Sequence, residues 1–227
     1  LFRSEAMDTE IGRLLQYLNT NNLLDSTNII FVGDNGNATP VSQIPDTGMA
    51  KASLYNYGVH VPYIISGPAV INPNRISDAL VSTTDVFATI AELCGFNNYL
   101  SYIPVNNLPI DSRSLLPVIK NQSNSIRAWN FTEMFDTPVL PKYGKTIRND
   151  TFQLIRFDNG NEEMYNLVND TLEQNDLLTG TLTSTELLNY NQLCDTLAML
   201  TGTASCSTTG VEDHYENAEV KIGRAHV

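Results

Sequence analysis

Cysteine, tryptophan and positive charge are all scarce in this chain of 227 residues. Three cysteines cannot build a disulfide-dense scaffold, their spacing makes no zinc site, and the odd count leaves at least one thiol unpaired within the chain. Thirteen Lys and Arg against 25 Asp and Glu give a net charge of −12. That balance argues against a nucleic-acid-binding surface, on which cations should dominate one face. No apolar run approaches the roughly 18 residues of a membrane span. What is present is a 42% hydrophobic composition, enough to bury a core. At a prior of about 150 residues per domain, the length fits one large domain or a domain with a small appendage.

The chain opens at Leu1, without Met and without a signal peptide, inside what reads as an amphipathic helix. Ile222–Val227 (IGRAHV) match one reading frame of a common sequencing adapter and are set aside. We expect an internal piece of a longer gene.

Met7, Ile11, Leu14, Leu15 and Leu18 recur at helical spacing, which predicts a helix over 4–19 with one buried stripe. Thr27–Val32 is a short apolar, β-branched run and predicts a strand buried on both faces, inside a parallel sheet with neighbours on each side. His60–Ile65 predicts a second strand, with Pro62 near its start. Ser82 and Thr83 offer N-caps to a helix through Leu93, and Gly95 suits its end. Strand, loop, strand and helix in this order are the grammar of an α/β sheet covered by helices. Beyond about Arg127, Thr151–Phe157 and Glu163–Leu167 flank an Asp-Asn-Gly turn as a hairpin. Thr183 and Glu186 form a capping box before a helix to about Leu200. The division expected is therefore an α/β portion over 1–126, a small α+β subdomain over 127–201, and a tail over 202–227.

Val32-Gly33-Asp34-Asn35-Gly36 carries the strongest chemical signal. A carboxylate and an amide oxygen at the carboxyl end of a buried strand lie where open α/β sheets place their ligands. Such hard oxygens suit Ca²⁺ or Mg²⁺, but two ligands do not complete a shell of about six. The same three residues also make a plain turn. Lys51 could hold an anion as a point charge or be solvated surface. His60 could act as a base or bind substrate, or it could be structural. Cys94, on an apolar helix face, reads as a core residue. Cys194 and Cys206 could pair.

Several stretches together resemble the type I sulfatases of the alkaline phosphatase superfamily, in their carboxyl-terminal half. They are Glu5–Leu15, Ile29–Gly36, Lys51–Pro62 with its lysine, aromatic, glycine and Val-Pro pattern, Asp78–Gly95, and Ile110–Pro117. Ile147–Asp150 and Glu162–Leu167 complete the series. The match is collinear from about residue 4 to residue 200. It implies a partial alkaline-phosphatase-like sheet sandwiched by helices, with the small α+β subdomain behind it. It makes Asp34 and Asn35 two ligands of a divalent cation, usually Ca²⁺ with Mg²⁺ as the alternative, and Lys51 the sulfate-contacting lysine. His60 stands where the family commonly has Arg, and Asn56-Tyr57 where it often has Glu-Gly.

The family's nucleophile is a formylglycine made from Cys or Ser in a Cys/Ser-x-Pro-x-Arg motif. Cys94, Cys194 and Cys206 lack that context, so the nucleophile is expected in an amino-terminal half outside these residues. The resemblance thus implies hydrolysis of a sulfate ester, with a carbohydrate as the expected substrate, by a periplasmic or secreted parent protein, while the chain alone is expected to be inactive. Its partners would be a sulfated small molecule or glycan and its own missing half, with no nucleic acid and no membrane span. Rival readings are a phosphodiesterase or phosphonate hydrolase of the same superfamily, and a non-catalytic binding protein that keeps the fold.

Overall fold

The computed structural model describes residues 2–107, 110–135 and 143–203. Helix α1 (Phe2–Thr20) forms where the periodicity predicts it. Its stripe, however, is not buried: Met7 and Leu14 are 50% and 54% exposed, and Ile11 and Leu18 are only half-buried. The helix packs chiefly on the turn Leu24–Ser26, which is too short to cover an apolar face of five turns.

Strand β1 (Ile29–Val32) pairs antiparallel with β2 (Tyr63–Ser66), Ile29 opposite Ser66 and Val32 opposite Tyr63. Neither the parallel partner nor the complete burial expected for β1 is found. All four of its residues are half-buried, and among the described residues its ladder is with β2 alone. An apolar run satisfies a strand of either direction, so composition could not tell them apart. β2 begins one residue after Pro62, which has no N–H to give, while the Pro62 carbonyl accepts from Gly33 N at 2.9 Å.

Between these strands lies a one-turn helix, α2 (Asn56–Val59), and after them come α3 (Asp85–Leu93) and the short α4 (Leu116–Ile119). Neither Ser82 nor Thr83 caps α3; its N-cap is Thr84, without a side-chain bond. The first helical residue, Asp85, reaches back instead and accepts from Ser82 N at 2.7 Å. The buried face of α3 is Asp85, Ala88 and Thr89. Cys94 is exposed, not part of the core: nine residues beyond Asp85 is two and a half turns, which points it the opposite way.

The carboxyl-terminal portion is an antiparallel sheet of β3 (Asn130–Met134), β4 (Gly144–Arg148), β5 (Phe152–Phe157) and β6 (Glu162–Asn166), in that order. Helix α5 (Ser184–Thr201) covers one face, opened by the expected capping box. There Ile147, Leu154 and Met164 pack with Leu193, Cys194 and Leu197. On the opposite face Ile155, Phe157, Tyr165 and Leu167 pack around Leu54, a residue of the preceding portion. The alternation of a strand turns Leu154 and Ile155 to opposite sides, so β5, rather than β1, is the strand buried on both faces. Cys194 is buried and disulfide-bonded, whereas Cys206 and the tail from residue 204 lie outside the described residues.

Candidate functional site

The Gly33-Asp34-Asn35-Gly36 turn leaves the end of β1 and is held by backbone bonds at both ends. Gly33 N donates to Pro62 O at 2.9 Å, and Gly36 N to Gly58 O at 3.1 Å. One residue later, Asn37 O accepts from Lys51 N at 2.9 Å. Three loops, 33–37, 50–53 and 56–60, are thus stacked on one another. Glycine makes the stacking possible. A Cβ at Gly36 would lie 2.0 Å from Tyr57 O, and one at Gly58 would lie 2.4 Å from Ser53 O. In the Asp-Asn-Gly motif the glycine therefore serves close approach, leaving the side chains of Asp34 and Asn35 exposed at the strand end.

Lys51 is exposed on the neighbouring loop. The residue after it, Ala52, holds φ at +64°, a left-handed conformation that disfavours a residue with a Cβ. Buried neighbours fix this turn: Ala50 is fully buried, and Ser53 Oγ donates to Met49 O at 2.8 Å. His60 caps the end of α2, its N–H donating to Asn56 O at 2.7 Å. More than a third of its surface remains open, yet packing around the imidazole and the charge of Arg148 hold its pKa below the usual 6.5.

His60 and Arg148 stand together in a cleft of about 870 Å³ that runs along β2 and is closed on its far side by β3 and β4. Arg148 Nη1 donates to Asn56 Oδ1 at 3.4 Å. Arg148 is a site residue that the sequence does not disclose. It reaches the loop only through pairing of β4 within the small sheet, 92 positions from Asn56. The sequence signal available was only its position in a stretch resembling the family's terminal subdomain.

Among the described residues no group of three or more His, Cys, Asp and Glu could hold a metal ion. Asp34 and Asn35 fit a hard divalent cation in kind, one carboxylate and one amide oxygen, and supply two positions of the six to eight that Ca²⁺ takes.

The Sulfatase family model matches residues 4–96. Over those residues the chain is similar to the sulfatase family. A Sulfatase of Formosa agariphila is 28% identical over 193 residues, 77% of this chain and 34% of that protein. An N-acetylglucosamine-6-sulfatase of Bos taurus is 31% identical over 119 residues, 52% of this chain and 19% of its own length. The chain thus spans 34% and 19% of the length of these two curated relatives. A solved structure in complex with its substrate, D-glucosamine-2-N,6-O-disulfate, superposes with a TM-score of 0.70 at 25% identity, covering 86% of this chain and 39% of that one. A phosphonate monoester hydrolase of Agrobacterium radiobacter shares the fold, with a TM-score of 0.64 at 21% identity over 86% of this chain and 39% of that one. Among the described residues no helix is long and apolar enough to cross a membrane.

Proposed function

We propose that the protein to which this chain belongs hydrolyses a sulfate ester of a carbohydrate, with a 6-sulfated glucosamine as the substrate class to try first. One observation carries the reading: backbone hydrogen bonds set the Asp34-Asn35 oxygen pair, the cation Lys51 and His60 on three stacked loops at one end of a sheet. The names of the Bos taurus relative and of the substrate-bound structure support the choice of sugar.

Each residue then has a physical task. Asp34 and Asn35 would hold a divalent cation, Ca²⁺ or Mg²⁺. When bound, such an ion supplies positive charge against the oxygens of the sulfate. Lys51 would contact a sulfate oxygen as a compact point charge, oriented by the turn at Ala52. His60, its pKa lowered, would meet the substrate as a neutral hydrogen-bonding group, where relatives commonly present a guanidinium. The nucleophile, a formylglycine, would come from outside these residues, and export to the periplasm or beyond the cell belongs to the same reading.

The test is made on the full-length protein. Release of sulfate from N-acetylglucosamine 6-sulfate, abolished together with bound metal in Asp34→Ala while the fold persists, is the expected result. Full activity and unchanged metal content in that variant would remove the metal assignment. Turnover of a phosphonate monoester instead of the sulfate ester would make it a phosphonate hydrolase, and turnover of neither would leave a binding protein.

A further inference from the structure

The carboxyl-terminal portion reaches back to the segment that ends in His60 through three consecutive residues, Leu54, Tyr55 and Asn56. Leu54 inserts into its core, and Leu54 O accepts from the buried Gln153 Nε2 at 2.9 Å. Tyr55 Oη donates to Glu163 Oε2 at 2.7 Å, and the same oxygen accepts from Tyr165 Oη at 2.7 Å. Asn56 takes two partners: its N–H donates to Glu173 Oε2 at 2.7 Å, and its Oδ1 accepts from Arg148. The Asn56 carbonyl then receives the N–H of His60. Glu173 and His60 are therefore attached to opposite sides of one residue.

Glu173 is an unusual group to find in that place. It is 1% exposed, and its second oxygen, Oε1, is buried without a partner. Its backbone holds φ at +54°, a conformation that persists in a non-glycine residue only when the surroundings impose it. The surroundings do. Asp170 accepts from the N–H groups of Gln174 and Asn175 at 3.0 and 2.8 Å, and Asp170 O accepts from Glu173 N. A carboxylate buried beside one hydrogen bond and one orphan oxygen weakens the fold relative to an apolar residue. Burial raises its pKa to about 7 in the same direction.

We infer that Glu173 is a positioning residue for substrate binding: its carboxyl group fixes the N–H of Asn56, sets the single turn of α2, and through that turn aims His60 at the substrate. The inference rests on the reading of His60 as a substrate contact. It assigns to the small subdomain a part in the site although none of its residues carries the reaction. The rigid link is short, two hydrogen bonds on one residue, so a change at Glu173 is transmitted to the imidazole without passing through the core.

The experiment compares Glu173→Ala, Glu173→Asp and Glu173→Gln in the full-length protein, with two readouts. The first is the His60 ¹³Cε1–¹H resonance and its titration, which needs no catalysis. The second is the KM and kcat for the sulfate ester. Ala removes the acceptor, Asp withdraws it by one methylene, and Gln keeps a neutral acceptor at full length. The expected result is a displaced His60 resonance and a KM about tenfold higher in Ala and Asp, the size of one hydrogen bond to a charged acceptor, with kcat much less affected and Gln restoring most of both. Should Ala fail to fold, the Asp and Gln pair decides. An unmoved His60 resonance in folded Ala or Asp protein overturns the inference, as does a lowered melting temperature with KM unchanged. A moved resonance in a protein that hydrolyses no sulfate ester would leave the mechanical link standing and remove the proposed function alone.

Discussion

Residues 29–60 and residues 143–203 are built on opposite plans. The first segment holds Asp34, Asn35, Lys51 and His60, all exposed, on connections leaving a two-stranded sheet in which no residue is fully buried. The second holds Ile147, Leu154, Ile155, Met164 and Leu197, each fully buried, in a four-stranded sheet backed by a helix. The four groups read from the sequence thus sit where packing is thin, and the dense portion adds Arg148 at the end of β4. The difference teaches that the loops are held in place from outside themselves. Leu54, Tyr55 and Asn56 are the points at which the dense portion grips the sparse one.

The largest expected effect tests the dense side. Leu154→Ala should destabilise the protein by about 2–5 kcal/mol, since a fully buried leucine leaves a cavity its neighbours only partly fill. Chemical denaturation measures it, and turnover per folded molecule should stay near the parent value. Next is Lys51→Ala, which should cost about 2–4 kcal/mol of transition-state stabilisation in the full-length protein. Its melting temperature should barely move, because an exposed lysine contributes little to folding. If Lys51→Ala unfolds the protein as readily as Leu154→Ala, the contrast between the two segments fails.

The third expectation concerns pH. Glu173 is raised from 4.5 to about 7 by burial. Between those values the folded chain keeps a proton that the unfolded chain has released. Raising the pH across that window therefore favours unfolding. The contribution is fully present below about pH 4.5 and lost as pH passes about 7, on the order of 3 kcal/mol at about 1.4 kcal/mol per unit. Denaturation at several pH values should show Glu173→Gln lacking this part of the slope; an unchanged slope would mean that the carboxyl is not the group responsible. The smallest effect is expected for Cys94→Ser. The side chain is exposed, and stability should stay within about 0.5 kcal/mol. A larger loss in a thermal melt would put Cys94 back in a packed interface.

Features written in local sequence were legible. The capping box of Thr183 and Glu186 needs only residues three apart, and the β5–β6 hairpin needs only its turn, where Gly160 holds φ at +90°. The Asp-Asn-Gly motif and Lys51 were also visible as residues. What was hidden depends on which distant segments meet. Glu173 lies 117 positions from Asn56 and Arg148 lies 92 from it, and no periodicity relates such pairs. Nothing in the local sequence marks Asp85. The structure makes it a buried hub that accepts from Ser82 N and Arg113 N and pairs with the Arg127 guanidinium. The α1 stripe misled for the converse reason: periodicity says which face is apolar, and only tertiary structure says whether anything covers it.

The left-handed backbone at Ala52 has a consequence for the entropy of binding. Glycine would reach φ of +64° without strain, but it would also visit many other conformations. Alanine held there by buried neighbours has few alternatives, so the backbone that carries Lys51 is restricted before any anion arrives. Less freedom is then left to lose when the ammonium engages a ligand, and more of the electrostatic attraction appears as affinity.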